Sequence, residues 1–413
     1  MSSYNLNMTE FTSAINDPAT DIKQLHVTNY VTENSKYKIV RYNKDILYVE
    51  HSFGVFRSVV VNNENQIVCF APPKSLSIEK FMEMNPTKTN SIVAEEFVEG
   101  TMINVFWDGQ LNGWNIATRN TIGANVSFFK TESKKTFNTM FYEALRECKL
   151  ELNNLNKSYC YSFVLQHPEN RIVVPISKRA VYLVEVYKIT GTTVEVIPME
   201  TVRTDVVWNN SDVLFPALYS DWTNYIELVE RFASQNTDYK IMGVVIKNTE
   251  TNERCKLRNP VYEDIRHLKG NQPKLQYHYL TLRKSGKIPE YLKFFPECKK
   301  HFSRFRDELH VFTNTLFANY VSCYMKKEKP LIEFSGQYKT HMFKLHKMYL
   351  DELKDKPLNG QKQFINISYV IKYVNSLHES QQMGALHYNL KKQYIDSVKA
   401  DADLKHTDSK DTD

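Results

Sequence analysis

The 413-residue chain carries 53 Lys and Arg against 47 Asp and Glu, and 42% of its residues are apolar, enough to bury the cores of two domains. It has no run of about 18 apolar residues, which argues against a membrane span, and its N-terminus lacks a basic stretch leading into an apolar one, so no secretory signal is expected. The six cysteines (Cys69, Cys148, Cys160, Cys255, Cys298, Cys323) form no C-x-x-C pair, so reduced thiols in an intracellular, cytoplasmic protein are expected rather than a disulfide framework or zinc site.

In chain order, a short helix is expected from Asn7 to Asn16, then small strands at Tyr37–Arg41 and Ile46–Val49. From Val55 to Tyr262, β-branched and aromatic runs alternate with polar turns. The clearest strands are Met102–Trp107, Gly113–Thr118, Val181–Tyr187 and Val194–Ile197, interrupted by one helix from Lys135 to Lys149. The stretch Tyr161–Val174 reads as a strand, a polar turn and the start of another strand. A similar pair follows at Ile241–Ile246 and Cys255–Tyr262.

After Tyr262 the texture changes. Lys299–Met325 has no Gly or Pro and places Phe302, Phe305, Leu309, Phe312, Leu316 and Tyr320 at steps of three and four, the pattern of an amphipathic helix whose aromatic stripe is core. Further helices are expected over Gln337–Leu353 and Ile365–Gln382, with Lys356–Gly360 as the break. The spans are then 1–50 as an extension packed on the first domain, 51–262 as that domain, 263–399 as a helical domain and 400–413 as a disordered tail.

Charge follows this division. Residues 263–399 hold 24 Lys and Arg and 13 Asp and Glu, whereas residues 1–262 are nearly balanced. A basic half beside a near-neutral half fits one domain that holds a polyanion and another with a different task. Lys299, Lys300, Arg304 and Arg306, in the first turns of the long helix, are the candidate contacts to that polyanion. A solvated lysine-rich surface is the bland alternative.

Three segments carry the chemistry. Phe56-Arg-Ser-Val-Val-Val61 precedes Ala71-Pro-Pro-Lys-Ser75, where two prolines stiffen the loop bearing Lys74. Glu99-Gly-Thr101 opens the next. Lys256-Leu-Arg258 puts two cations on one face of a strand, as a triphosphate clamp requires. Together with Pro168, Asn170, Arg171, Ile172 and Val173, these resemble the ordered motifs of the covalent nucleotidyltransferases, closest to phage-type ATP-dependent RNA ligases. The same combination looks like ligase-like proteins of large DNA viruses.

The resemblance spans about residues 50–265. It implies an α+β fold: a nucleotidyltransferase (ATP-grasp-like ligase) domain of antiparallel sheets with flanking helices, followed by an all-helical C-terminal domain. It also implies ATP, Mg2+ or Mn2+, and RNA whose 5′-phosphate and 3′-hydroxyl ends are sealed through a lysyl-AMP. By resemblance Arg57, Arg119, Phe163, Gln166, Lys256 and Arg258 would contact the nucleotide. Three positions depart from the pattern: Phe97 stands where the nucleophilic lysine belongs, and Val164 and Met242 replace glutamates. With that lysine missing, Lys74 is the candidate nucleophile and Glu99 its catalytic partner. The alternatives are a ligase-fold RNA-binding protein without activity and a GTP-using RNA-capping enzyme. No H-E-x-x-H, Gly-x-Ser-x-Gly, P-loop or dinucleotide fingerprint occurs.

Overall fold

The computed structural model describes residues 3–6, 25–31, 35–48, 51–127, 135–355, 365–389 and 392–393. The helix expected at Asn7–Asn16, the break at Lys356–Gly360 and the tail 400–413 lie outside them. The chain divides into two compact units, Met1–Lys269 and Gly270–Asp413. The first therefore runs beyond Tyr262, where the composition changes, through the helix Pro260–Lys269.

Fourteen strands are described in the first unit: β1 (Ser3–Asn5), β2 (Leu25–Val31), β3 (Lys36–Tyr42), β4 (Val59–Val61), β5 (Ile67–Phe70), β6 (Ile92–Glu96), β7 (Thr101–Asp108), β8 (Gly113–Ala117), β9 (Tyr159–Gln166), β10 (Ala180–Thr190), β11 (Thr193–Val196), β12 (Leu218–Tyr219), β13 (Gly243–Asn248) and β14 (Arg254–Arg258). They form three sheets in the orders β1-β11-β10-β9-β7-β8, β12-β6-β13-β14 and β2-β3-β4-β5. Neighbouring strands in all three sheets pair antiparallel. The expected class, antiparallel sheets with flanking helices and then a helical region, is what the chain adopts.

The period-2 alternation of the strands decides what each face meets. On the six-stranded sheet, Ile103, Val105, Tyr161, Phe163 and Leu165 point to one side. There they bury against Met140, Phe141 and Ala144 of the helix Phe137–Glu147. The opposite face supplies Phe106, Cys160 and Tyr187 to a second core, shared with Tyr37, Phe56 and Phe70 of the β2–β5 sheet and its connections. In the remaining sheet, Ala94, Val244, Ile246, Cys255 and Leu257 are buried against Phe81 of the helix Ile78–Met84 and Tyr225, Leu228 and Phe232 of the helix Tyr225–Phe232. That leaves the other face of β6, β13 and β14 for polar side chains.

Two expected strands take other forms. Lys44–Tyr48 is a short 3-10 helix. Its described residues join no sheet, Val49 lies outside them, and the Tyr42 amide donates to the Phe56 carbonyl at 2.7 Å. Ile172–Val174 is not a strand start either, because a side chain takes its amides: Glu99 accepts from Val173 N and Val174 N at 3.1 Å. The next strand begins at Ala180.

In the second unit the helix Lys299–Tyr320 is followed by a π-helical turn at Val321–Met325. All six stripe residues are buried. Tyr279 meets Phe302 edge-on at 5.1 Å, and Tyr291 stacks on Phe302 at 5.2 Å. The last expected helix is two, Ile367–Ser376 and Glu379–Leu386, separated at Leu377 and His378, the latter capping the second. No described helix is long and apolar enough to cross a membrane.

Candidate active site

The polar face of β6, β13 and β14 looks onto a cavity of about 260 Å³ in the first unit. Register explains its lining. Glu95, Val245 and Lys256 are paired in one row across the three strands, and Lys247 pairs with Arg254 in the row beside it. Gly243 faces Arg258 one step the other way, and Phe97 follows β6 at that same end. Met102 and Val164, paired between β7 and β9, close the cavity from the six-stranded sheet, together with Val184 and Glu185 of β10.

Glycines make this approach feasible. Gly100 has φ +154°, and a Cβ there would lie 2.4 Å from the Leu165 carbonyl oxygen. Gly243 has φ +137°, and its Cβ would lie 2.0 Å from the Leu257 carbonyl oxygen. Gly243 thus lets β13 and β14 approach closely beside Phe97. The Lys256 Nζ lies 4.3 Å from the centre of the Phe97 ring and the Arg258 guanidinium 5.4 Å, within cation–π range.

Six cations (Arg57, Lys247, Arg254, Lys256, Arg258 and Arg266) and three carboxylates (Glu95, Glu96 and Glu185) line the cavity. The carboxylates are already engaged. Lys247 reaches Glu95 at 2.5 Å and also binds Glu185, while Arg254 lies 3.5 Å from Glu185. Glu96 accepts the Ala217 amide at 3.2 Å. Arg258 pairs with Glu263 at 2.7 Å. Among the described residues neither Arg57 nor Lys256 has a carboxylate partner. Burial, helped by Arg254, lowers Arg57 to about 10. Burial and the surrounding Arg254, Arg57, Arg258 and Lys74 lower Lys256 to about 6, so its amine is mostly neutral at pH 7.

The proline loop is tied to the edge of β14. Arg254 Nη2 donates to the Pro73 carbonyl at 3.0 Å, Leu76 N to the Arg254 carbonyl at 2.8 Å, and Lys74 N to the Gly54 carbonyl at 2.9 Å. Lys74 is thereby held near the same cations. Burial, then Arg57, Arg258 and Arg254, hold its amine below the usual lysine range. The amine itself donates to the Ser75 carbonyl at 3.1 Å, and Lys74 is not among the residues lining the cavity.

The other expected site residues separate. Phe163 is fully buried, 5.9 Å from Phe141 in the core, so it does not stack on a ligand in the cavity; its neighbour Val164 faces that side instead. Gln166 donates to the Glu99 carbonyl at 2.9 Å. Glu99 spends its carboxylate on the Val173 and Val174 amides and lies beside the Tyr262 hydroxyl, and burial raises its pKa. It shapes the loop behind the cavity rather than facing into it. Arg119 lies over the Tyr42 ring at 5.4 Å, outside the lining. In the second unit Lys300 and Arg304 line an open groove of about 720 Å³. Arg304 pairs with Glu308 at 3.6 Å and Arg306 with Asp307 at 3.0 Å.

Lys247, Arg254, Glu95 and Glu185 were not singled out by the motifs. The spacing of Arg254, Lys256 and Arg258 at every second residue is the signal that could have found Arg254. Among the described residues no group of three or more His, Cys, Asp or Glu is disposed to hold a metal. With the cavity's carboxylates engaged as above, these residues do not fit a resident divalent ion.

No protein-family model matches the chain. The chain is 29% identical over 205 residues to an RNA ligase of Rhodothermus phage RM378, covering 42% of this chain and 45% of that protein. The chain thus spans about half the length of the relative it matches. Among solved structures, a Naegleria gruberi RNA ligase mutant with AMP and Mn is 11% identical with a TM-score of 0.37, covering 64% of this chain and 84% of that one. An archaeal ATP-dependent RNA ligase is 11% identical with a TM-score of 0.38, covering 73% and 76%. These two likenesses are too slight to carry an argument. The likeness to RNA ligases that the motifs express is found again in the phage protein.

Proposed function

We propose that the first unit is an ATP-dependent nucleotidyltransferase of RNA ligase type. The observation that carries this reading is a cavity with more cations than carboxylates, in which Arg57 has no acidic partner among the described residues. Unbalanced, desolvated positive charge is costly unless an anion enters, and a triphosphate supplies one. Arg57, Arg258 and Arg266 neutralise its phosphates, Met102, Val164 and Ile172 offer apolar surface, and Mg2+ or Mn2+ arrives with the phosphates as part of the substrate. A lysine amine takes the adenylyl group, passes it to an RNA 5′-phosphate, and a 3′-hydroxyl displaces AMP to seal the strand.

Incubation with α-labelled ATP and Mg2+ should label the protein, and the label should move to 5′-phosphorylated RNA. GTP in place of ATP should label poorly. ATP that binds without any label on protein or RNA would favour the non-catalytic RNA-binding reading, for which the substitutions at Phe97, Val164 and Met242 speak.

The second unit, in this reading, holds RNA through phosphates at Lys299, Lys300, Arg304 and Arg306. Four contacts to a single strand imply that a roughly fourfold rise in salt lowers affinity by about 50-fold, with little dependence on sequence. The measurement is RNA binding across a salt series. Salt-insensitive binding would mean the basic surface is only solvated.

A further inference from the structure

We propose that Lys256 is the nucleophile, its amine standing in from β14 for the lysine absent at position 97. This rests on the nucleotidyl-transfer reading above. The argument is geometric. A side chain at position 97 projects into the cavity, and the Lys256 Nζ lies 4.3 Å from the centre of the ring that does so. Gly243 lets the β13 backbone lie close against β14 at this end. The amine is thus delivered to the region the missing lysine would serve, from the far strand of the same sheet. Phe97 occupies the vacated space and packs against the amine, which restricts where it can point.

Lys74 is less well placed. Its amine is turned to the Ser75 carbonyl, and its loop is tied down by Pro73 and Leu76. It adds positive field beside Lys256, as do Arg57, Arg254 and Arg258. That field and burial favour the neutral, nucleophilic amine. A bound triphosphate pulls the amine back toward its charged form, and the remaining cations limit this by neutralising phosphate charge.

The step balances as follows. The Lys256 nitrogen lone pair attacks the α-phosphorus of ATP, and a P–N bond forms as the bond from the α-phosphorus to the bridging oxygen breaks. Pyrophosphate leaves with that electron pair, and the amine releases one proton to water. In the second step an RNA 5′-phosphate oxygen attacks the same phosphorus, the P–N bond breaks, and the lysine recovers a proton.

The test is to label the full chain with ATP and Mg2+, digest it, and locate the AMP adduct by mass spectrometry. The adduct is expected on Lys256. Lys256→Arg, which keeps the charge but offers no neutral amine, should lower labelling by on the order of 1,000-fold or more while ATP still binds. Lys74→Ala should still carry its adduct on Lys256. An adduct on Lys74 or any other residue, or undiminished labelling of Lys256→Arg, overturns the assignment but leaves nucleotidyl transfer standing. No adduct at all, with ATP bound, overturns both.

Discussion

Replacing Lys247 by methionine should destabilise the first unit by about 3–5 kcal/mol, the usual cost of removing one partner from a buried ion pair. Lys247 sits at the end of β13 between Glu95 of β6 and Glu185 of β10, and so joins two sheets. Burial pulls its pKa down, but Glu185 and Glu95 outweigh that and lift it. Glu185 would keep Arg254 at 3.5 Å. Among the described residues Glu95 has no other cation within ion-pair distance, and burial already pushes its carboxyl up despite Lys247. Without the lysine, Glu95 would be a buried charge left only with the more distant field of Arg254.

The sign of the pH dependence follows. A protonated Glu95 has no charge to bury, so the loss in Lys247→Met should shrink as pH falls through the raised Glu95 pKa. Adding Glu95→Gln should recover part of it. The check is the urea midpoint of the first unit's transition at neutral and mildly acid pH. A loss below about 1 kcal/mol, in the range of exposed pairs, would mean the network contributes little.

How much of this was legible depends on whether a feature is local. Strand alternation is local, and it correctly put Lys256 and Arg258 on one face. The same alternation decides that Val164, not Phe163, faces the cavity, because the two are adjacent on one strand. The aromatic stripe from Phe302 to Tyr320 was readable because a helix repeats its own contacts every three or four residues.

The rest depends on partners far away in the chain. Glu99 matches a motif, yet only the fold shows its carboxylate held by the Val173 and Val174 amides. The network of Glu95, Glu185, Lys247 and Arg254 spans four strands of two sheets, and no spacing in the sequence announces it. Ile46–Tyr48 has the apolar character of a strand, but a strand needs a neighbour to pair with, and these residues have none among the described strands. Lys74 was singled out for its stiff loop. That loop lies beside the cations as expected, but its amine is turned to a backbone carbonyl.

The second large effect concerns the cations themselves. Arg57→Gln with Arg258→Gln removes two positive charges from the cavity wall while leaving Lys256 and the buried Lys247 network in place. Charge-assisted contacts contribute about 1.5–3 kcal/mol each, so their joint loss should weaken ATP binding by at least about 100-fold. Arg258 also pairs with Glu263, which in the variant would keep only Arg266 at 3.3 Å. The most direct test is calorimetric titration of ATP into the wild-type chain and this double variant. One ATP per chain with wild type, and binding weakened by that factor in the variant, is the predicted result. No ATP binding by wild type, or equal affinity in both proteins, would contradict it.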